Sequence, residues 1–305
     1  MRISYFILSL YSALLRIITP NSGITKLTFN PFTNWLFSNV TAKSSSMLRT
    51  RTSDGVPIEV DITDHDGRIL WMCGSNDFKV SRVANALLSQ NMDFLDIGAN
   101  YGTIGFSAAC RMKPGDTVHL FEPQPRLSGQ LRKAIEASGL DAVIKLHEVA
   151  LYDRDVKIPF SVPLQHSGKG SLVNSAPANE SLTVEARSTA SYVEPLIGDR
   201  PFGVKIDVEG AEAVILPDLI ALKDQMRFCI FEGSSNQVAL YEMFNSRGFL
   251  VFGLCRTVLK VNLSFISSQE ELHSFHDFLA IRLSTRPTQK RMTLDNLVKC
   301  VRSPS

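Results

Sequence analysis

The residues best suited to chemistry are seven in a row, Asp96-Ile97-Gly98-Ala99-Asn100-Tyr101-Gly102, and single acids at the ends of later apolar runs: Glu122, Asp207, Glu209 and Glu232. The seven follow Met92-Asp93-Phe94-Leu95 and precede a helix-like run from Thr103 to Met112. A buried strand, a glycine turn and a helix in that order make a cofactor cradle. Gly98 lets the chain turn sharply and the backbone approach a ligand. The start of the helix presents free N–H groups. A dinucleotide and an adenosyl cofactor would both use such a cradle.

Glu122 narrows the choice. Val118-His119-Leu120-Phe121 reads as a second strand ending at Glu122-Pro123. A carboxylate at that tip is placed to accept hydrogen bonds from ribose hydroxyls. Pro123 closes the strand by removing a donor. The glycines do not follow G-x-G-x-x-G, because Asn100 stands where the second glycine would be and Tyr101 follows it. A pyrophosphate needs two close glycine approaches, whereas S-adenosylmethionine (SAM) has no phosphate. In this frame Asp96 organises the glycine loop and faces the aminoacyl end of the cofactor, or else caps the helix. Ala99, Asn100 and Gly102 complete the loop. His147-Glu148-Val149-Ala150 closes a third strand, where Val149 and Ala150 would form an apolar wall for the adenine.

Gly203-Val204-Lys205-Ile206-Asp207-Val208-Glu209-Gly210-Ala211-Glu212 begins as a buried strand and turns into a helix. Open α/β sheets bind ligands outside the carboxyl ends of their strands, so Asp207 and Glu209 are candidates to take a proton from an attacking hydroxyl. Lys205 shares a strand face with Asp207. Glu212, one helical step from Glu209, is expected on the same side. Glu232 ends the next strand, so Asp207, Glu209 and Glu232 are expected to line one pocket. Three carboxylates also admit a divalent cation with oxygen ligands; acid/base work is the reading taken, and no metal ligand is assigned. Helix-dipole acids remain the plainer alternative for Glu209 and Glu212. His166, beside Ser167-Gly168-Lys169-Gly170, is a further candidate base or substrate contact, or a solvated loop histidine.

Four motifs in register resemble the FkbM family of SAM-dependent methyltransferases: Asp96–Gly102, Phe121-Glu122-Pro123, Ala150-Leu151 and Lys205–Glu212. The resemblance covers roughly residues 55 to 283. It implies a class I, Rossmann-like methyltransferase fold, SAM as cofactor, and O-methylation of a hydroxyl on a sugar of a glycolipid or polysaccharide or on a secondary metabolite. Two other classes stay in view. One is a nucleotide-dependent oxidoreductase on a similar sheet, disfavoured by the glycine spacing. The other is a non-catalytic, membrane-associated adaptor that keeps the fold.

The elements that must position these residues follow from apolar periodicity. Strands are expected at 93–97, 117–121, 143–149, 203–207, 227–232, 249–254 and 277–283, and helices at 103–112, 126–138, 210–216 and 236–247. Their alternation predicts a doubly wound, mostly parallel, seven-stranded α/β sheet. Before it, Val56 to Ile62 alternates like a strand, His65-Asp66-Gly67 reads as a turn and Arg68 to Met72 as its hairpin partner; Asp77 to Ser89 has helical spacing. Two short strands, Ile158–Val162 and Leu182–Ala186, flank a polar loop from His166 to Ser181 that is placed to cover the site.

The chain of 305 residues divides into a basic, apolar segment 1–53, a catalytic domain 54–283 and a basic tail 284–305 expected to be a solvated helix. A net charge of +2 implies no nucleic-acid partner. Five scattered cysteines without a C-x-x-C pair suit reduced thiols in a cytoplasmic setting. The first 53 residues contain six Lys or Arg and no acid. Ile3 to Ile18 reads as a helix with Arg2, Ser9, Ser12 and Arg16 on one narrow face, too short to span a bilayer. Packing on the catalytic domain is the first expectation for it, then peripheral membrane contact through residues 3–18, then a cleaved targeting role.

Overall fold

Strand runs that are apolar on both sides can be buried only if helices cover both faces of their sheet, and that is the arrangement formed. The computed structural model describes residues 2–18, 25–41, 46–163, 169–170, 180–222, 225–233, 236–256, 260–283 and 289–302. Chain order runs α1 (Arg2–Ile18), α2 (Thr25–Thr28), α3 (Pro31–Thr41), β1 (Met47–Arg51), β2 (Pro57–Asp61), α4 (His65–Cys73), α5 (Phe78–Leu87), β3 (Asp93–Ile97), α6 (Thr103–Ala109), β4 (Val118–Phe121), α7 (Pro125–Ser138), β5 (Ile144–His147), β6 (Ala150–Tyr152), β7 (Val156–Val162) and β8 (Glu180–Ser188). It continues with α8 (Thr189–Ile197), β9 (Phe202–Ile206), α9 (Glu212–Ala221), β10 (Met226–Glu232), α10 (Gln237–Ser246), β11 (Leu250–Arg256), β12 (Val261–Phe265), β13 (Asp277–Ile281), β14 (Arg291–Thr293) and α11 (Leu294–Arg302).

The main sheet has the order β5-β4-β3-β9-β10-β13-β11-β12-β14. Strands β5 to β10 are parallel, and β13 runs antiparallel to both β10 and β11. All seven expected core strands are present in this one sheet. Two more, β12 and β14, extend the edge beyond β11 by antiparallel pairing, so the sheet has nine strands rather than seven. Successive side chains point to opposite faces: Phe94 joins the core beneath α5, α6, α7 and α11, and Leu95 the core beneath α8, α9 and α10. Strand order reverses between β3 and β9, which opens a crevice at their carboxyl ends.

Three expectations are corrected. Arg68–Met72 is not a hairpin strand but part of α4, capped by Asp64, which accepts the Gly67 N–H, and closed by Gly74 in the left-handed region. Ile69 to Cys73 are all buried, so the run carries no polar period to distinguish helix from strand. The partner of β2 is β1, upstream of it. The tail is not a solvated helix: β14 pairs with β12, and Leu294 and Leu297 of α11 are buried in the core. The expected strands at 158–162 and 182–186 do form, as β7 and β8, but they join β6 in a separate three-stranded sheet.

Candidate active site

The glycine loop is shaped by what lies under it. Gly98 has φ +75°, and a Cβ there would stand 2.0 Å from the Asp207 carbonyl oxygen, so only glycine lets β3 and β9 end side by side. Asn100 also adopts a left-handed φ of 52°, which its side chain tolerates better than most. Its backbone N–H donates to Glu122 Oε2 at 2.8 Å and its side-chain amide to Asp66 Oδ2 at 3.0 Å. Gly102 is the N-cap of α6 at φ +76°, packed under Phe106 and Leu131.

Asp96 lies wholly inside, beneath the loop. It accepts the Gly105 N–H at 2.8 Å and faces Lys205 Nζ at 3.3 Å, while Lys205 donates to the Gly98 carbonyl at 2.6 Å. Burial raises the Asp96 carboxyl above its ordinary value, against the pull of Lys205. Burial alone would depress the Lys205 amine, but Asp96, Asp207 and Glu122 outweigh it and hold the amine above its ordinary value. Asp96 therefore caps α6, the second of its two expected roles, and braces the loop from beneath the cleft. Its carboxylate is occupied by an N–H and a cation below the surface.

A trough runs over the ends of β3 and β9, in two lobes that share Gly98, Asn100 and Asp207. The smaller lobe is apolar, walled by Phe121, Pro123, Val149, Ala150, Leu151 and Phe160, with Glu122 as its carboxylate. Glu122 is buried and accepts the N–H groups of Asn100 and Gln124; burial pushes its carboxyl up to about 7. No lysine or arginine among the described residues lines this lobe. The other lobe, of about 300 Å³, is acidic. Asp207, Glu209 and Glu232 bring carboxylate oxygens within 4.8 Å of one another there. Asp66, Asp77 and Asp277 line the same lobe, with Ala99, Tyr101, Lys169 and Lys205.

Burial, then Asp207, pushes Glu209 up to about 7. Partial burial, then Asp207 through its charge and a shared hydrogen bond, pushes Glu232 up to about 8. Glu209 sits at φ 53°, a conformation costly for a side chain of its size. Glu212 holds it there. Its carboxylate accepts the N–H groups of Val208 and Gly210, each at 3.0 Å. Glu212 thus turns back under the loop rather than into the cleft beside Glu209, which corrects that expectation.

Asp207, Glu209 and Glu232 meet as expected, and so do Glu122, Pro123, Val149 and Ala150. His166 lies outside the described residues. From the same connection, Lys169 reaches the acidic lobe and Gly170 the apolar one. Reading the sequence missed Asp66, Asp77 and Asp277. Asp77 had a local signal, as N-cap of α5 accepting the Val80 N–H; Asp66 was hidden by reading α4 as a turn.

The donor set decides which cofactor fits. A pyrophosphate would meet Glu122 and Asp207 with no cation in the apolar lobe. The uncharged adenosine of SAM suits that lobe, and its cationic sulfonium and ammonium suit the acidic one. Fold and trough together suit an adenosyl cofactor held at the topological switch point of a doubly wound sheet. Residues 96–281, more than half of the chain, match the Methyltransferase FkbM domain. The chain belongs to the FkbM methyltransferase family, and its cofactor is SAM.

No curated protein matches the sequence. Similar solved structures include a precorrin-6Y C5,15-methyltransferase from Geobacter metallireducens GS-15, with 11 % identity over 67 % of this chain and 88 % of that one and a TM-score of 0.39. Methyltransferase FkbM from Methylobacillus flagellatus KT has 13 % identity over 70 % of this chain and 52 % of that one, at a TM-score of 0.41, so this chain spans about half of that protein. TrmK from M. capricolum, solved with S-adenosyl-homocysteine, has 12 % identity over 68 % and 67 %, at a TM-score of 0.37.

Proposed function

We propose that the protein is an O-methyltransferase acting on a hydroxyl of a sugar, in a glycolipid or polysaccharide, or of a secondary metabolite, with Glu209 as general base. The observation that carries this reading is an apolar lobe bearing Glu122 and lined by no lysine or arginine among the described residues, joined at Gly98 to a lobe with three carboxylates within 4.8 Å. SAM supplies an electrophilic methyl group on a positively charged sulfur. Glu122 holds the ribose, and Val149, Ala150 and Phe160 hold the adenine away from water. The carboxylates of the acidic lobe hold the acceptor, so that its oxygen approaches in line and positioning supplies much of the rate. Glu209 takes the hydroxyl proton. A carboxyl near 7 is balanced between being ionised and being basic enough to do so. The charge of Asp207 beside it helps to raise the Glu209 carboxyl, and Glu232 is hydrogen-bonded to Asp207. The five free thiols suit a cytoplasmic setting.

The test is transfer of labelled methyl from SAM to a panel of sugar and polyol acceptors. Glu209→Gln is expected to lower kcat by about 10²- to 10⁴-fold, the usual value of a general base, with SAM affinity unchanged in calorimetry. A wild-type rate in Glu209→Gln removes it as the base. Transfer only to amine acceptors removes the O-methylation reading. Chelation with EDTA is expected to leave the rate unchanged; loss of activity restored by a divalent cation would turn the carboxylate triad into a metal site.

A further inference from the structure

The polar and apolar sides of α1 are reversed for a helix whose outer face meets water. Ser12 Oγ donates inward to the carbonyls of Trp71 and Met72, at 3.2 and 2.9 Å. Arg16 reaches the same end of α4, donating through Nη2 to the carbonyls of Leu70 and Trp71, and through Nη1 to that of Arg51. A guanidinium there meets the last carbonyls of α4, of which that of Leu70 also takes the Gly74 N–H, and the negative end of its dipole. These bonds fix the rotation of α1 about its axis. The face turned outward is apolar: Ile3 and Ile17 are each 77 % exposed and Phe6 62 %, with Leu10 and Leu14 exposed between them. On the neighbouring α3, Phe32 and Trp35 are exposed. Eight of the nine exposed large apolar side chains among the described residues lie on these two helices, so the exposure is a patch and not scatter.

We propose that α1, with Phe32 and Trp35 of α3, docks the protein in the plane of an anionic lipid bilayer surface. Charge selects this occupant. Residues 1–53 carry six Lys or Arg and no acid; Arg16 is turned inward and Arg49 pairs with Glu59, but the segment keeps an excess of positive charge, which anionic headgroups attract. A second copy would bring the same positive segment against itself. Tryptophan and tyrosine favour the headgroup boundary, and Trp35 and Tyr5 are both exposed here. The helix lies on the bilayer rather than across it. Its 17 residues reach about 25 Å at 1.5 Å each, short of the roughly 30 Å hydrocarbon core. No helix among the described residues is long and apolar enough to cross a membrane. Since α1 packs on α4, and α4 carries Asp66 into the acidic lobe, the docked face is one helix away from the cleft.

The experiment is flotation of the full chain on vesicles of equal parts phosphatidylcholine and phosphatidylglycerol, and on phosphatidylcholine alone, at low and high salt. The protein is expected to float with the mixed vesicles at low salt, and much less with neutral vesicles or at high salt. Trp71 is already buried and Trp35 is not, so vesicles should blue-shift the emission of Trp35, and Trp35→Phe should abolish the shift. The triple variant Phe6→Gln, Leu10→Gln, Leu14→Gln should partition on the order of a hundred-fold more weakly, with unchanged circular dichroism and SAM affinity. Wild-type protein that floats with neither vesicle overturns the proposal, as does flotation that the triple variant leaves intact. A dimer in sedimentation velocity that the triple variant dissociates, without flotation of the wild type, assigns the face to a second copy and also overturns it.

Discussion

Glu122 carries two tasks. It ties Asn100 to Gln124 through their backbone N–H groups, and it offers its remaining lone pairs to the apolar lobe. Glu122→Ala is therefore expected to weaken SAM binding about ten- to hundred-fold, as loss of hydrogen bonds to a charged group implies; calorimetry reads the change, and unaltered affinity would exclude Glu122 as ribose partner. The raised carboxyls set a pH signature. Glu209 near 7 must be ionised to act as base, so kcat/KM should rise as pH passes through 7 and level off above it, with Glu209→Gln removing the rise. Stability should move the opposite way. A carboxyl lifted from 4.5 to about 8 binds more protons folded than unfolded, so its stabilisation is present below pH 4.5 and lost as pH rises through 8. The melting temperature of Glu232→Gln relative to wild type should accordingly rise across that window.

At the scale of the element, the turn from β9 into α9 shows how a short segment holds the proposed base in a strained conformation. Glu209 stays in the left-handed region because Glu212 accepts the N–H groups on either side of it. Glu212→Ala leaves those donors without their acceptor, at a cost of about 1–3 kcal/mol. A lower urea midpoint should be accompanied by a fall in kcat larger than the change in SAM affinity, because the loosened residue is Glu209 and not the adenosine lobe. Glu212→Gln, which keeps one acceptor, should recover part of both. A variant with normal kcat would show that the turn holds without its carboxylate. Gly98 works at the same scale: a Cβ there would stand 2.0 Å from the Asp207 carbonyl oxygen, so the bare backbone is what lets the lobes meet.

At the scale of the whole molecule, the last strand and helix belong to the core. Leu297 is fully buried, against the layer that includes α5. Leu297→Ala should cost about 2–5 kcal/mol, the range for emptying a buried leucine site, measured as a shift in denaturation midpoint; a change near zero would return α11 to solvent. The acidic lobe is likewise a product of the whole. Asp66, Asp77, Asp207 and Asp277 come from four separate places in the chain and meet only because α4, α5 and β13 begin where β9 ends, over the carboxyl ends of the parallel strands.

Strand-turn-helix units were legible in the residues because their determinants are local: an apolar run, a glycine, a cap. Asp96–Gly102, Glu122 and Asp207–Glu209 could be placed at strand ends for that reason. The bracing contacts of Asp96 and Glu212 beneath their loops could not be read in advance, since spacing does not show which side of a loop a carboxylate takes. Burial on every side hid α4. The rotation of α1 was also beyond the sequence. A helical wheel puts Ser12 and Arg16 on one narrow polar face, the side water would claim. The folded protein turns that face inward, because the last carbonyls of α4 stand there to receive it.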